Sequence, residues 1–86
     1  MNQNIIFSDN KEWDENRKGV VFYAQQAGQL IPCFAPLPLL EKISGTEASA
    51  ESALELFEEC RFDLEDLAEE AIEDEEFSPT GEIELG

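Results

Sequence analysis

The chain has 86 residues, 42% of them hydrophobic, and 21 acids against five bases give it a formal net charge of −16 with no histidine. Residues 47–86 hold 16 of the acids and one base, Arg61, so −15 lies in the back half and −1 in the front. Such a surface repels nucleic acid and anionic membrane. The chain also lacks histidine, a G-x-S-x-G elbow and a glycine-rich phosphate loop, so no familiar catalytic arrangement is available.

In chain order, Asn4-Ile5-Ile6-Phe7 is a short apolar run closed by Ser8-Asp9-Asn10, which predicts a first strand. Residues 8–18, polar and charged around Trp13, predict a connecting loop or a short helical turn. Gly19 opens Val20-Val21-Phe22-Tyr23-Ala24, β-branched and aromatic, which predicts a second strand. Gly28 marks a hairpin turn within Gln25–Gln29, and Leu30–Ala35 is the return strand. That pairing puts Val20, Phe22 and Ala24 on one face together with Ile31 and Cys33. Pro32 has no N–H for a ladder, so this strand is expected at a sheet edge or bulged there. Pro36-Leu37-Pro38 ends it, Pro38 starts a short helix over Leu39 to Ile43, and Ser44-Gly45-Thr46 stops that helix.

From Ser49 the period changes. Ala50, Ala53, Phe57, Cys60, Leu64, Leu67 and Ala71 recur at alternating spacings of 3 and 4, widened by Leu54, Ala68 and Ile72. That stripe predicts helix over residues 49–76. A single long helix, unbroken or kinked near Arg61-Phe62-Asp63, is favoured over a helical hairpin, although Asp63 with Asp66 could cap a second helix from Leu64. Ser78-Pro79-Thr80-Gly81 is a turn, and Glu82-Ile83-Glu84-Leu85 alternates like a last edge strand.

The expected architecture is α+β in one domain, residues 1–86. A small antiparallel sheet of three to four strands carries a short helix and a long acidic C-terminal helical segment packed on one face. Stability on the order of 5 kcal/mol is expected for this size. Four of the seven stripe residues are Ala or Cys, too small for a strong zipper, so packing on the sheet is preferred, with monomer and dimer both open. Met1-Asn2-Gln3-Asn4 has neither a basic start nor an apolar stretch of signal length, and Leu30 to Leu40 is too short to span a membrane. A cytoplasmic location is therefore expected. Cys33 and Cys60 stand alone and are expected to be buried free thiols, a disulfide or a reactive thiol being the alternatives. With no histidine they do not complete a zinc set. No catalytic, metal or cofactor site is expected.

Off the stripe, the helical segment is coated with acid, including Glu51, Glu55, Glu58, Glu59, Glu65, Asp66, Glu69, Glu70, Glu73 and Asp74. Like charges at i,i+4 cost roughly a few tenths of a kcal/mol per pair. Crowding of this kind predicts that acidification toward pH ~5, like added salt, stabilises the fold. The face is either a solvated surface or a docking surface for a basic protein partner. In the second case Glu55, Glu59, Glu69 and Glu73 are the candidate contacts, and Trp13 in its charged surroundings is a candidate anchor. A lone tryptophan in a charged loop is more often a lid on a small core than an anchor, and that reading is preferred for Trp13. The acid rows also suit a DNA mimic that occupies the nucleic-acid site of a basic partner. Arg61 is expected to pair with Glu58 or Glu65 one turn away. Direct binding of nucleic acid or membrane is not expected.

The block Glu12-Trp13-Asp14-Glu15-Asn16, followed by Val20-x-Phe22-x-Ala24, Gly28, Cys33 and Arg61-x-Asp63-Leu64-Glu65, resembles the YrdB-like family of small proteobacterial proteins, a domain of unknown function. The resemblance spans nearly the whole chain and is weakest over Pro36-Leu37-Pro38 and the last ten residues. It implies no catalytic or binding residues. Some members are labelled as regulators of the shikimate pathway, which implies an accessory or regulatory role. An acid-coated helix is a poor fit to a DNA groove, so direct transcriptional regulation is the less favoured form and regulation through another protein the expected one.

Overall fold

Alternating β-branched and aromatic residues build the front half of the chain into a sheet. A computed structural model describes residues 4–86, and Met1-Asn2-Gln3 lie outside them. Three strands, β1 (Ile6–Asp14), β2 (Gly19–Gln26) and β3 (Gln29–Pro36), form an antiparallel meander. Three helices follow, α1 (Leu37–Ser44), α2 (Ala53–Glu59) and α3 (Arg61–Glu73), and the chain closes with β4 (Ile83–Glu84). The strand order is β1-β2-β3-β4. The fold is α+β, as expected, but the sheet is mixed rather than purely antiparallel. Cys33 pairs with Ile83 and Phe34 with Glu84 in parallel. A run of helices between β3 and β4 returns the chain alongside β3 at Cys33 running in the same direction, and such a crossover delivers a parallel neighbour.

The β2–β3 hairpin has the predicted register, with Val20 opposite Ala35, Phe22 opposite Cys33 and Ala24 opposite Ile31. All six are buried. Its two-residue turn is Ala27-Gly28, both at positive φ (53° and 80°), the geometry that matches strand twist in tight hairpins. Pro32 lies opposite Tyr23 and beside no residue of β4, whose pairing begins at Cys33. Residues 32 and 34 turn their backbone to the same side, and the Phe34 carbonyl accepts from the Leu85 N–H there. The missing proline donor therefore faces an open stretch of edge.

β1 runs well past the predicted stop at Ser8. Phe7 faces Ala24 and Lys11 faces Phe22, so β1 holds two extra residues over that step and Ser8–Asn10 bulge out. Beyond the bulge, Lys11 to Asp14 pair with Phe22 to Gly19, where a loop or helical turn was expected. The charged residues are compatible with a strand because one sheet face has no helix on it.

The helical stripe packs on the other face. Phe57 of α2 packs against Phe22 with tilted rings whose centroids are 5.0 Å apart, and the Phe7 ring centroid lies 6.1 Å from that of Phe22. Ala53, Cys60, Leu64, Ala68 and Ile72 complete that layer, while Leu85 and Ile83 seal the far end. The predicted long helix is bent into two, and the break is at Cys60, just before the predicted kink site. The Cys60 N–H is shared between the carbonyls of Leu56 and Phe57 (3.0 and 3.1 Å), and its own carbonyl accepts from Leu64 (3.0 Å). The hydrogen-bonded path therefore continues through the bend, making a kink and not a hairpin. The bend lets α2 rest on β1 and β2 while α3 reaches β4. No side chain caps α3, so Asp63 does not cap a second helix. Helix starts only at Ala53, since Ser49 and Ser52 form a local turn through their backbones and the Ser52 hydroxyl.

Candidate functional site

At one end of the molecule the start of β1 faces the kink between α2 and α3. Ile5 and Phe7 form one wall, and Glu58, Arg61, Phe62 and Glu65 form the other, enclosing an open groove of about 570 Å³. Phe62 is 79% exposed, more than any other large hydrophobic side chain among the described residues. The cause is helical spacing. Cys60 and Leu64 face the sheet, and a residue two positions from each lies roughly 200° around the helix from both. Phe62 is thus held in water by the same stripe that builds the core.

Arg61 organises the groove's rim. Its Nε donates to Glu65 (2.8 Å), and Nη2 donates to the Asp9 carboxylate (3.0 Å) and to the Ser8 carbonyl (3.4 Å). Nη1 lies 3.7 Å from Glu58. One guanidinium therefore ties the β1 bulge to both helices, and these carboxylates raise its already high pKa. Lys11 reaches Glu58 at 2.6 Å, and that contact, more than any other, holds the Glu58 carboxyl below its ordinary value. The expected local pairs of Arg61 are both present, and Asp9 is an addition from the β1 bulge.

A second cluster sits where the β1–β2 turn meets β4. The Asp14 carboxylate accepts from the backbone N–H groups of Asn16 and Arg17 (3.0 and 3.1 Å) and from Arg17 Nε (3.0 Å). Arg17 also reaches Glu82 at 3.0 Å and lies over the Phe34 ring, 4.3 Å from its centroid. The side-chain bond from Arg17 is the main cause of a lowered Asp14 pKa, and Lys18 does the same for Glu15. Much of the Glu12–Asn16 block thus serves to form a turn and fasten β4.

Trp13 lies beyond the bulge from the groove, opposite Val20. It is half-buried against the core and donates from Nε1 to Glu15 (2.7 Å). Glu55 and Glu59 are exposed on α2, Glu73 is exposed on α3, and Glu69 is half-buried there. The kink divides these four acids into two short rows. The structure does not bring Trp13 and the acids into one site. Cys33 and Cys60 are free and buried, and burial pushes the Cys33 thiol up to about 12 and raises Cys60 as well. Neither is a nucleophile at neutral pH.

Sequence reasoning missed Ile5, Phe7 and Phe62 as surface features. The signal for Phe62 was present, because it is the one aromatic of the helical segment that falls off the apolar stripe. No helix among the described residues is long and apolar enough to cross a membrane.

Comparison with known proteins bears on the whole chain. It is 36% identical over 86 residues to the uncharacterized protein YrdB of Escherichia coli (strain K12), covering 99% of each, and 35% identical to that of Shigella flexneri over the same shares. A solved structure from Shewanella loihica PV-4, described as a protein of unknown function from the DUF1488 family, superposes with a TM-score of 0.91 at 41% identity. That match covers 99% of this chain and 94% of the other. The profile described as "Protein of unknown function (DUF1488)" matches residues 5–85, and the chain belongs to that family.

Proposed function

We propose that the protein is a non-enzymatic accessory or regulatory factor of the cytoplasm that acts by binding another protein. The observation that carries this reading is Phe62, a 79% exposed aromatic at the mouth of a groove with Ile5 and Phe7 on the facing wall. A large apolar side chain held in water beside a recess with one apolar wall and a charged rim is a form that binding anchors take. The surrounding acid supplies long-range attraction for a basic partner and repulsion of competitors such as nucleic acid. Any regulation of the shikimate pathway, as the family resemblance implies, would then run through a protein complex and not through DNA. Division of the acid rows at Cys60 weakens the regular feature on which a DNA mimic would rely.

A photo-crosslinking amino acid placed at position 62 in the native host is the test. A discrete crosslinked protein from position 62, absent when the crosslinker is at Ala27 in the hairpin turn, is the expected result. Loss of any specific product from positions 62, 13, 59 and 69 alike would refute protein binding as the mode of action.

A further inference from the structure

We propose that the Phe62 groove receives a basic, extended segment of another protein. An arginine or lysine of that segment lies on the Phe62 ring between Glu59 and Asp66, and an apolar neighbour sits over Ile5 and Phe7. This occupant presupposes the protein-binding role above and specifies its chemistry. Helical spacing puts Glu58 and Glu59 one turn before Phe62 and Glu65 and Asp66 one turn after it. Glu58 and Glu65 are already neutralised by Lys11 and Arg61. Glu59 and Asp66 are exposed and have no ion-pair partner among the described residues. An uncovered aromatic ring between two uncompensated carboxylates attracts a cation through both the ring face and the charges.

Charge also selects against the other occupants. A second copy of the chain would bring another −16, and its bases are engaged at home: Lys11, Arg17, Lys18 and Arg61 all face carboxylates. Among the described residues only Lys42 lacks a carboxylate partner. Nucleic acid is repelled outright. The extended form of the segment follows from the groove's walls, one of which is Ile5 and Phe7 at the start of β1, an edge strand paired only with β2. The Ser8–Asn10 bulge, held by Arg61, limits the open ladder to its first residues, so side-chain anchoring at Phe62 must supply most of the specificity.

A random peptide library displayed on phage, selected on the full-length protein, tests this without knowledge of the natural partner. Enriched sequences are expected to place Arg or Lys beside an aromatic or aliphatic residue. A synthetic peptide of the consensus should lose about tenfold in affinity to Phe62→Ala, a loss in the range of a desolvated cation–π contact. It should also weaken against the double variant Glu59→Gln/Asp66→Asn and with rising salt. Both variants change exposed side chains, so a cooperative circular dichroism melt with a midpoint at or above that of the native chain verifies that folding is intact. Neutral or acidic consensus sequences, no enrichment at all, or binding indifferent to Phe62→Ala would each overturn the proposal. A dimer in sedimentation that Phe62→Ala abolishes would also do so, by naming a second copy as the occupant. Should the peptides fail while crosslinking from Trp13 or Glu69 still captures a protein, the binding role survives and only this groove is lost.

Discussion

At the scale of single residues, Gly19 and Arg17 show how the sheet's helix-free face is closed. A Cβ on Gly19 would lie 2.5 Å from two atoms of the Phe34 ring and 2.6 Å from the Ala35 carbonyl oxygen. The ring can turn aside, but the carbonyl belongs to the paired strand, so Gly19→Ala should cost about 1–3 kcal/mol in urea unfolding. Arg17 lies over the face of that ring while pairing with Asp14 and Glu82. Its effect on Asp14 makes its contribution depend on pH. A carboxylate with a folded-state pKa below its unfolded one stabilises the fold above the ordinary value, here 3.8, and loses that contribution as pH falls through the lower folded value. The gap in melting temperature between the native chain and Arg17→Met is therefore expected to be largest at pH 7 and to shrink below pH 3.8. A gap independent of pH would assign the role of Arg17 to stacking on Phe34 alone. Glu15 and Glu58 are lowered too, by Lys18 and Lys11, so at these three acids local pairing reverses the upward shift that crowding predicts.

At the scale of elements, α3 ends in a Schellman motif built without glycine. Glu76 N–H bonds to the Ala71 carbonyl (2.9 Å) and Glu75 N–H to that of Ile72 (3.0 Å), with Glu75 left-handed at φ 58°. A side chain there costs roughly 1–2 kcal/mol relative to glycine, and a carboxylate near a helix C-terminus adds a few tenths. Glu75→Gly should therefore raise stability by about 1 kcal/mol, read from the shift in urea midpoint at unchanged slope. Ala27→Asn, which supplies the residue preferred at the first position of such a turn, should gain several tenths of a kcal/mol by the same measure. The hairpin around Ala27-Gly28 and the stripe from Ala53 to Ile72 were legible in the sequence because each has a clean period and its own local stop. The second half of β1 was not, because its outward positions face water and their charges imitate a loop. The kink at Cys60 lies within a residue of the site predicted at Arg61-Phe62-Asp63, but no proline or glycine fixes it, and it arises from the need to reach β1, β2 and β4 with one apolar stripe. The direction of β4 depends on where the preceding helices deliver the chain, which no local pattern encodes. The candidate site was half legible: its acids stood out, whereas its apolar wall depends on β1 and α3 meeting in space.

At the scale of the whole molecule, a charge of −16 is confined within a Cα radius of gyration of 12.3 Å. The Debye length is about 10 Å at 0.1 M salt, so at low ionic strength each carboxylate feels charges across much of the molecule. Four bases form ion pairs that oppose this repulsion, but all lie at the surface, with Lys11 and Arg61 half-buried, and such pairs are worth about 0–1 kcal/mol each. Salt weakens both contributions, and the repulsion is the larger because most of the 21 acids have no base nearby. The melting temperature should therefore rise as sodium chloride increases from about 0.02 to 0.5 M, beyond one Debye length of screening. Glu69→Gln/Glu73→Gln should start higher and rise less, since it removes two like-charged i,i+4 pairs from α3, Glu65/Glu69 and Glu69/Glu73. A melting temperature that falls with salt would mean that the local pairs of Lys11, Arg17, Lys18 and Arg61 outweigh the net charge. The same screening should weaken a basic peptide at the Phe62 groove while it strengthens the fold. Opposite salt dependences of binding and stability in one sample would show that charge held at a cost to the fold is the charge that attracts the partner.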